Sequence, residues 1–182
     1  TKAEGTQEYT TLFYIPKKAP FDMYHADYKP GVKLFVKRVF ITDDDKELLP
    51  TYLRFVRGVI DSEDLPLNVS REILQQNKIL NSIRNASVNK LLGEFKRLSE
   101  NEKEIYSSFI AEFNRPLKEG LYSDYEHKDE IAELVRFKST YGDEKDWTSF
   151  ADYVGRMKSE QKYIYYITGE DEKICRNSPH LE

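Results

Sequence analysis

The 182-residue sequence predicts a mixed α/β fold: a layered α/β subdomain, a helical connector with a long helix, and a second small α/β subdomain that is incomplete. Three observations favour this class. Two segments rich in β-branched and aromatic residues lie near the N-terminus, apolar residues at helical spacing fill the middle, and a third β-rich segment lies near the C-terminus. We therefore place the larger subdomain at residues 1–100, the connector at 101–135 and the small subdomain at 136–182.

Strands are predicted at residues 8–15, 32–41 and 162–168, where β-branched and aromatic residues cluster. In the second segment, basic residues that include Lys37 and Arg38 make the alternation of apolar and polar positions imperfect. The acidic run at 43–45 is typical of a solvated turn, because it lacks the spaced ligands and the glycine of a calcium loop. A lone strand at 162–168 cannot form a sheet by itself, so we expect the small subdomain to be incomplete.

Helices are predicted where apolar residues recur every three or four positions. The longest follows Ser70, a suitable N-cap, and continues to about residue 99, which at about 1.5 Å per residue gives a rod of about 44 Å. Pro116 is expected to end the helix before it and to begin a break that lasts to residue 127. The predicted helices cover residues 48–60, 70–99, 102–115, 128–138 and 149–157.

Composition limits the class of protein. Hydrophobic residues make up 39% and charged residues 33%, which suits a packed core and not a membrane protein. No apolar run approaches the ~20 residues of a spanning helix, and no signal peptide opens the chain. The net charge of −4 without a basic face argues against a nucleic-acid partner. A single cysteine, Cys175, rules out an internal disulfide and fits a cytoplasmic protein. Because the chain starts at Thr1, we expect a segment of a longer protein.

Recognised catalytic motifs are absent. The sequence has no phosphate-binding loop, no dinucleotide-binding glycine pattern and no nucleophile elbow. The three histidines, His25, His127 and His180, are far apart and form no ligand set with Cys175, so we predict no metal site. The tyrosines of segment 162–168 could stack on nucleic-acid bases, but without a basic groove we interpret them as packing residues.

Residues 64–77 are the most informative segment, a polar loop that continues into the long helix. Arg71 would lie at the helix N-terminus, where free amides and the helix dipole attract anions, and its planar guanidinium fits phosphate oxygens. Gln75, one turn later, would share its helix face, and Asn68 could brace the loop. Two interpretations remain open: a capped helix start with exposed polar residues, which spacing alone favours, and an arginine offered to a nucleotide bound elsewhere.

Several motifs resemble those of the heat shock protein 90 chaperone family, in the family's order and spacing. The match extends from about residue 7 to the end of the chain, and the final SPHLE is similar to the bacterial branch of the family. The segments that carry the resemblance are 14–22 (YIPKKAPFD), 37–41 (KRVFI), 53–62 (LRFVRGVIDS), 64–72 (DLPLNVSRE), 152–154 (DYV), 156–157 (RM) and 164–169 (IYYITG).

The resemblance implies a middle-domain segment of an ATP-dependent chaperone that responds to stress and folds proteins. ATP with Mg²⁺ would be bound by a separate N-terminal domain, and a C-terminal domain would form a homodimer. Arg71 matches the family's catalytic arginine, which meets the γ-phosphate, and Gln75 matches its supporting glutamine. Asn68 lies in the same loop and receives only a bracing role.

Without the N-terminal domain, the segment alone is expected to be inactive as an ATPase. The resemblance also implies that this segment offers a surface to unfolded or partly folded client proteins. A second hypothesis follows, in which the chain is mainly a client-binding module and Arg71 is only structural. Apolar residues near Phe21, Met23 and Tyr24 motivate it, provided that they are exposed. No nucleic acid and no membrane partner is expected.

Overall fold

The computed structural model describes residues 2–3, 8–25, 27–43, 48–67, 77–143, 146–169 and 171–181. Its strands are β1 (Lys2–Ala3), β2 (Tyr9–Tyr14), β3 (Gly31–Val36), β4 (Val39–Thr42) and β5 (Arg57–Ser62). They form one five-stranded sheet in the order β1-β2-β5-β3-β4. Neighbouring strands are antiparallel except β3 and β5, which run parallel and end side by side.

The helices follow the sheet in sequence and confirm the mixed α/β class. A 3₁₀ turn at Thr51–Leu53 precedes β5, and another at Pro179–Leu181 ends the described chain. None of the helices in the described part of the chain combines the length and the apolar character that crossing a membrane requires. The helices are α1 (Lys78–Asn101), α2 (Lys103–Ser123), α3 (Lys128–Leu134), α4 (Phe150–Gly155) and α5 (Glu172–Arg176).

Buried side chains of the sheet and helices form one hydrophobic core. Its centre is a cluster of four phenylalanine rings with neighbouring centroids 4.7–6.2 Å apart, within the range of favourable aromatic pairs. The cluster joins the segment before β5 to α1 and α2, so it fixes the sheet against the long helices. Its members are Phe55, Phe95, Phe109 and Phe113.

The predicted helix at 48–60 is wrong, because this segment forms the 3₁₀ turn and then the central strand β5. Its apolar residues are buried in the turn as well as in the strand. Together they recur at a spacing that resembles the spacing of a helix. Gly58 permits the strand to sit beside β2: its φ is 153°, and a Cβ there would collide with the Leu12 carbonyl oxygen.

The predicted strand at 32–41 is a hairpin of β3 and β4. Lys37 and Arg38, which make the alternation imperfect, form the two-residue turn with φ angles of 49° and 65°. Positive φ at both positions defines a type I′ turn, which matches the right-handed twist of the flanking strands. The irregular alternation was therefore the mark of a turn.

Three helix boundaries differ from the prediction by more than two residues. α3 ends at Leu134 and not at residue 138, because the backbone of Val135 is extended. α1 starts at Lys78 and not after Ser70, because Asn77 has an extended backbone and caps the helix. α2 passes through Pro116 to Ser123, so the predicted break at 116–127 is wrong. Pro116 is buried on the face that packs against the core, and tertiary packing there outweighs the helix-breaking tendency of proline.

Residues 136–181 hold short helices and one antiparallel bridge, between Phe137 and Thr148. Segment 162–168, predicted as a strand, has no strand pairing in the structure. Its tyrosines, which we interpreted as packing residues, are 71–86% exposed. The α/β class rests on the N-terminal sheet, and the three-part division at residues 100 and 135 stays a prediction.

Candidate functional site

The three predicted site residues, Asn68, Arg71 and Gln75, lie outside the described residues, so their roles stay predictions. The structure describes both ends of the loop that carries them, residues 63–67 on one side and Asn77 on the other. The loop leaves the central strand β5 and leads to α1. The described residues at these two ends are the anchors of the candidate site.

The first anchor fastens the loop to the sheet. The buried Ser62 ends β5, and its Oγ accepts a hydrogen bond from the Leu65 amide at 3.3 Å. Leu65 is itself 1% exposed and belongs to the core. The Asp64 carboxylate accepts a hydrogen bond from the Glu8 amide at 2.7 Å, and the Glu63 amide donates to the Glu8 carbonyl at 3.0 Å. Side-chain burial and hydrogen bonds to the start of β2 thus fix where the loop begins.

The second anchor is the N-cap of α1. The Asn77 Oδ1 accepts hydrogen bonds from the amides of Ile79, at 2.8 Å, and Leu80, at 3.3 Å. Asparagine is among the best residues for this role, since its side chain satisfies amides that the helix leaves free. Leu80 is 1% exposed and seats the first turn in the core.

This cap changes one prediction about the site. We expected Arg71 at the N-terminus of the long helix, where free amides would help to bind an anion. The described helix starts at Lys78 instead, and Asn77 already accepts hydrogen bonds from two of its first amides. The predicted position of Arg71 at the N-terminus of this helix is therefore wrong, and its role at a phosphate stays a prediction.

Sequence reasoning missed the anchoring residues Ser62, Asp64, Leu65 and Asn77. A signal existed for three of them: asparagine and aspartate next to helix and strand ends are typical cap and turn residues, and a leucine in a polar loop is typical of an anchor.

A second candidate surface is the connection between β2 and β3, where the Phe21 side chain is strongly exposed. Phe21 is 91% exposed, whereas Met23, two residues later, is 1% exposed and belongs to the core. The Lys18 Nζ and the Ala19 amide both donate to the Glu112 carboxylate of α2, at 2.8 and 3.0 Å. The connection is thus fixed on both sides of Phe21 while the ring itself faces solvent.

The Arg54 side chain holds the same connection through hydrogen bonds and a contact with an aromatic ring. It donates two hydrogen bonds to the Glu119 carboxylate, at 2.6 and 2.9 Å, and one to the Met23 carbonyl at 3.3 Å. The ring of Tyr24 lies near two guanidinium groups, 5.1 Å from Arg54 and 4.6 Å from Arg115, which is the range of cation–π attraction. A cavity of about 340 Å³ has Tyr24 and Arg54 in its lining.

A buried polar cluster lies among the helices. The Tyr52 hydroxyl donates to Asp124 at 2.9 Å, and the His127 Nδ1 lies 3.0 Å from the same carboxylate. The His127 Nε2 lies 3.0 Å from the Asn89 Oδ1, so both ring nitrogens have a partner within the protein. Burial acts to raise the pKa of Asp124, but the hydrogen bonds from His127 and Tyr52 outweigh it and hold the pKa below its ordinary value. The cluster is a structural link between elements.

Metal ligands are not grouped in the described part of the chain, where no three His, Cys, Asp or Glu side chains are placed to hold an ion. His25 and His127 lie in separate regions, and Cys175 is a free, half-buried cysteine.

The mixed sheet and the helices that follow it in sequence match the fold of a heat shock protein middle domain. A solved structure, the middle domain of a putative heat shock protein from Plasmodium falciparum, superposes with a TM-score of 0.83 at 36% identity, over 100% of this chain and 69% of that chain.

The chain belongs to the Hsp90 protein family, whose model matches residues 1–182. It is 82% identical to the chaperone protein HtpG of Treponema denticola, 72% to that of Treponema pallidum and 64% to that of Aliarcobacter butzleri, over 100% of the chain in each case. The chain spans 28–29% of the length of these relatives. The resemblance drawn from the sequence motifs is confirmed.

Proposed function

We propose that this middle domain supplies Arg71 to the γ-phosphate of ATP that is bound, with Mg²⁺, by a separate N-terminal domain. The observation that carries the proposal is the loop around Arg71, which is anchored by Leu65 at one end and by Asn77 at the other in a chain of the Hsp90 family. Nothing in the sequence resembles a complete nucleotide-binding motif, which fits a composite site shared between domains.

The physical reason is the charge that develops on a transferring phosphoryl group. An arginine brought to that group from another domain can be worth ~10³–10⁵ in rate. Such a residue acts only if its backbone is held in place before the reaction, because a misplaced donor loses most of its effect. The two described anchors, at Leu65 and Asn77, support this part of the proposal. Gln75 supports Arg71 at the phosphate or orients the attacking water, and Asn68 braces the loop.

The second candidate function is client binding, and the exposure of Phe21 favours it. A solvent-exposed aromatic ring on a rigid connection is suited to bind apolar segments of an unfolded protein at low entropic cost. In the alternative account Arg71 is a structural residue and this surface is the whole function. The two functions are compatible in one domain.

The complete protein would then be a cytoplasmic stress chaperone and a homodimer. Its middle domain would contact the N-terminal ATPase domain and connect to a C-terminal dimerisation domain. The partners outside the protein would be unfolded or partly folded clients.

Reconstitution tests the proposal. The isolated chain is expected to hydrolyse no ATP, and the isolated N-terminal domain of the Treponema denticola relative to hydrolyse it slowly. A chimera in which this chain replaces the matching segment of that relative should recover the turnover of the unmodified relative. A chimera that is folded and dimeric but no faster than the isolated N-terminal domain would rule out a catalytic contribution from this chain.

A further inference from the structure

The tip of the β3–β4 hairpin places two basic residues in an unfavourable backbone conformation. Lys37 and Arg38 have φ angles of 49° and 65°, in the left-handed region that side chains with a Cβ rarely adopt. The type I′ turn that they form strongly prefers Asn-Gly. Strained positions of this kind often occur where the side chains have a function. The formation of the turn alone does not explain why these two residues are basic.

Hydrogen bonds fix this tip beside the end of β5, from which the chain continues toward Arg71. The Lys37 amide donates to the Ser62 carbonyl at 3.0 Å, and the Arg38 amide donates to the Asp61 carboxylate at 3.1 Å. Val36 and Ser62 are register partners at the ends of the parallel strands β3 and β5. The hairpin tip and the first anchor of the loop therefore share one end of the sheet, about 5 Å apart in the strand-pairing direction.

The charged groups of both side chains are free to meet a partner. Lys37 and Arg38 are exposed, and within the described part of the chain neither side chain forms an ion pair or a hydrogen bond. The nearby carboxylates are engaged by backbone amides, Asp61 by Arg38 and Asp64 by Glu8. The carboxyl end of parallel strands is also where α/β proteins commonly bind their ligands.

We propose that Lys37 and Arg38 are positioning residues that pair with carboxylates of the nucleotide-bearing domain as it closes on the loop. This inference rests on the proposed function, in which that domain meets Arg71. The pair lies one strand away from the first anchor, so a domain that docks at this anchor also reaches the tip. Two cations at the rim of the contact steer the approach and hold the closed state, and Arg71 itself meets the phosphate.

The test uses the Treponema denticola chimera and the double variant Lys37→Asn, Arg38→Gly. Asn-Gly is the preferred type I′ pair, so the melting temperature should stay the same or rise while both charges are lost. We expect kcat for ATP to fall about two- to tenfold at low salt, the size expected for two exposed ion pairs. The fall should shrink at high salt, and KM for ATP should not change.

Two matched variants control for charge and for the turn. Exchanging the two cations, by Lys37→Arg with Arg38→Lys, keeps both charges and should keep kcat. Lys90→Gln removes an exposed charge from the middle of α1 and should also leave kcat unchanged. A fall in kcat with either control would overturn the assignment, because turn geometry or net charge would then explain the effect.

Other outcomes separate this inference from the proposed function. If the Asn-Gly variant melts like the unmodified chimera and keeps its kcat at low salt, the inference is wrong. A higher KM for ATP with unchanged kcat would overturn it in favour of direct contact with the nucleotide phosphates. Arg71→Ala is measured in parallel: if that variant also keeps full activity, the proposed function fails as well.

Discussion

The carboxylate of Asp64 accepts a hydrogen bond from the backbone amide of Glu8 at 2.7 Å, and this bond ties the start of the Arg71 loop to the beginning of β2. The two residues are 56 positions apart in the sequence. Among the described residues, this bond and the one from the Glu63 amide hold the chain after β5 to the sheet, so we expect its loss to affect this segment more than the fold.

Asp64→Ala should therefore slow ATP hydrolysis in the chimera several-fold while lowering the free energy of unfolding by only about 1 kcal/mol, the usual net worth of an exposed hydrogen bond. Asp64→Asn is the control, because its side-chain oxygen can still accept the bond. Turnover and thermal melts of the three proteins check the prediction. An alanine variant as active as the asparagine variant would show that the loop does not depend on this anchor.

Asn77→Ala removes the cap of α1 and should lower the free energy of unfolding by about 1 kcal/mol, within the ~0.5–2 kcal/mol found for N-caps. Asn77→Asp should keep the stability, since aspartate caps equally well and its charge favours a helix N-terminus. Urea unfolding of the chain and its two variants measures the difference. Equal losses in both variants would mean that the side-chain oxygen of residue 77 does not act as the cap.

Asp124 should make the stability of the chain depend on acid pH. Its pKa in the folded state lies below the ordinary value of 3.8, so the carboxylate stabilises the fold above that pH and ceases to do so as the pH falls through the folded value. Asp124→Asn should cost about 1–2 kcal/mol at neutral pH, the size of a hydrogen bond to a charged group. The gap in melting temperature between the two proteins should narrow below pH ~4. A difference in melting temperature that stays constant down to pH ~2.5 would contradict the stabilising role of the Asp124 carboxylate.

Phe21→Ala should weaken the binding of an unfolded client without lowering the melting temperature, because the ring is 91% exposed and contributes little to the core. Tyr125→Ala is a matched control, an aromatic residue that is 80% exposed at a different place on the surface. Fluorescence anisotropy of a labelled, permanently unfolded protein gives the Kd for each variant. Equal effects of the two substitutions would remove the special role of the Phe21 connection.

The sequence predicts the α/β class and β2 well, because alternation and β-branched content agree there. It misassigns 48–60, since a buried turn followed by a buried central strand gives the same apolar spacing as a helix. It also wrongly predicts that a helix ends at Pro116. This proline is buried within a long helix, and its burial depends on partners that lie far away in sequence. Local patterns cannot report such tertiary contacts.

The candidate site is also only partly predictable from the sequence. Motif resemblance identifies the Arg71 loop, and spacing alone leaves its role open. The anchors at Asp64 and Asn77 depend on contacts across the fold, with Glu8 in one case and with the true start of α1 in the other. The turn at Lys37 and Arg38 was visible in the sequence as a break in alternation, but its place beside Ser62 follows only from the parallel pairing of β3 and β5.

The most direct test of the account is the ATP turnover of the full-length chimera with Arg71→Ala, compared with Arg71→Lys and the unmodified chimera. The account predicts that alanine abolishes most of the turnover, that lysine restores little because it lacks the planar fork, and that ATP binding by the N-terminal domain remains. If the alanine variant is folded, binds ATP and hydrolyses it at the unmodified rate, Arg71 is not a catalytic residue and the central claim is contradicted.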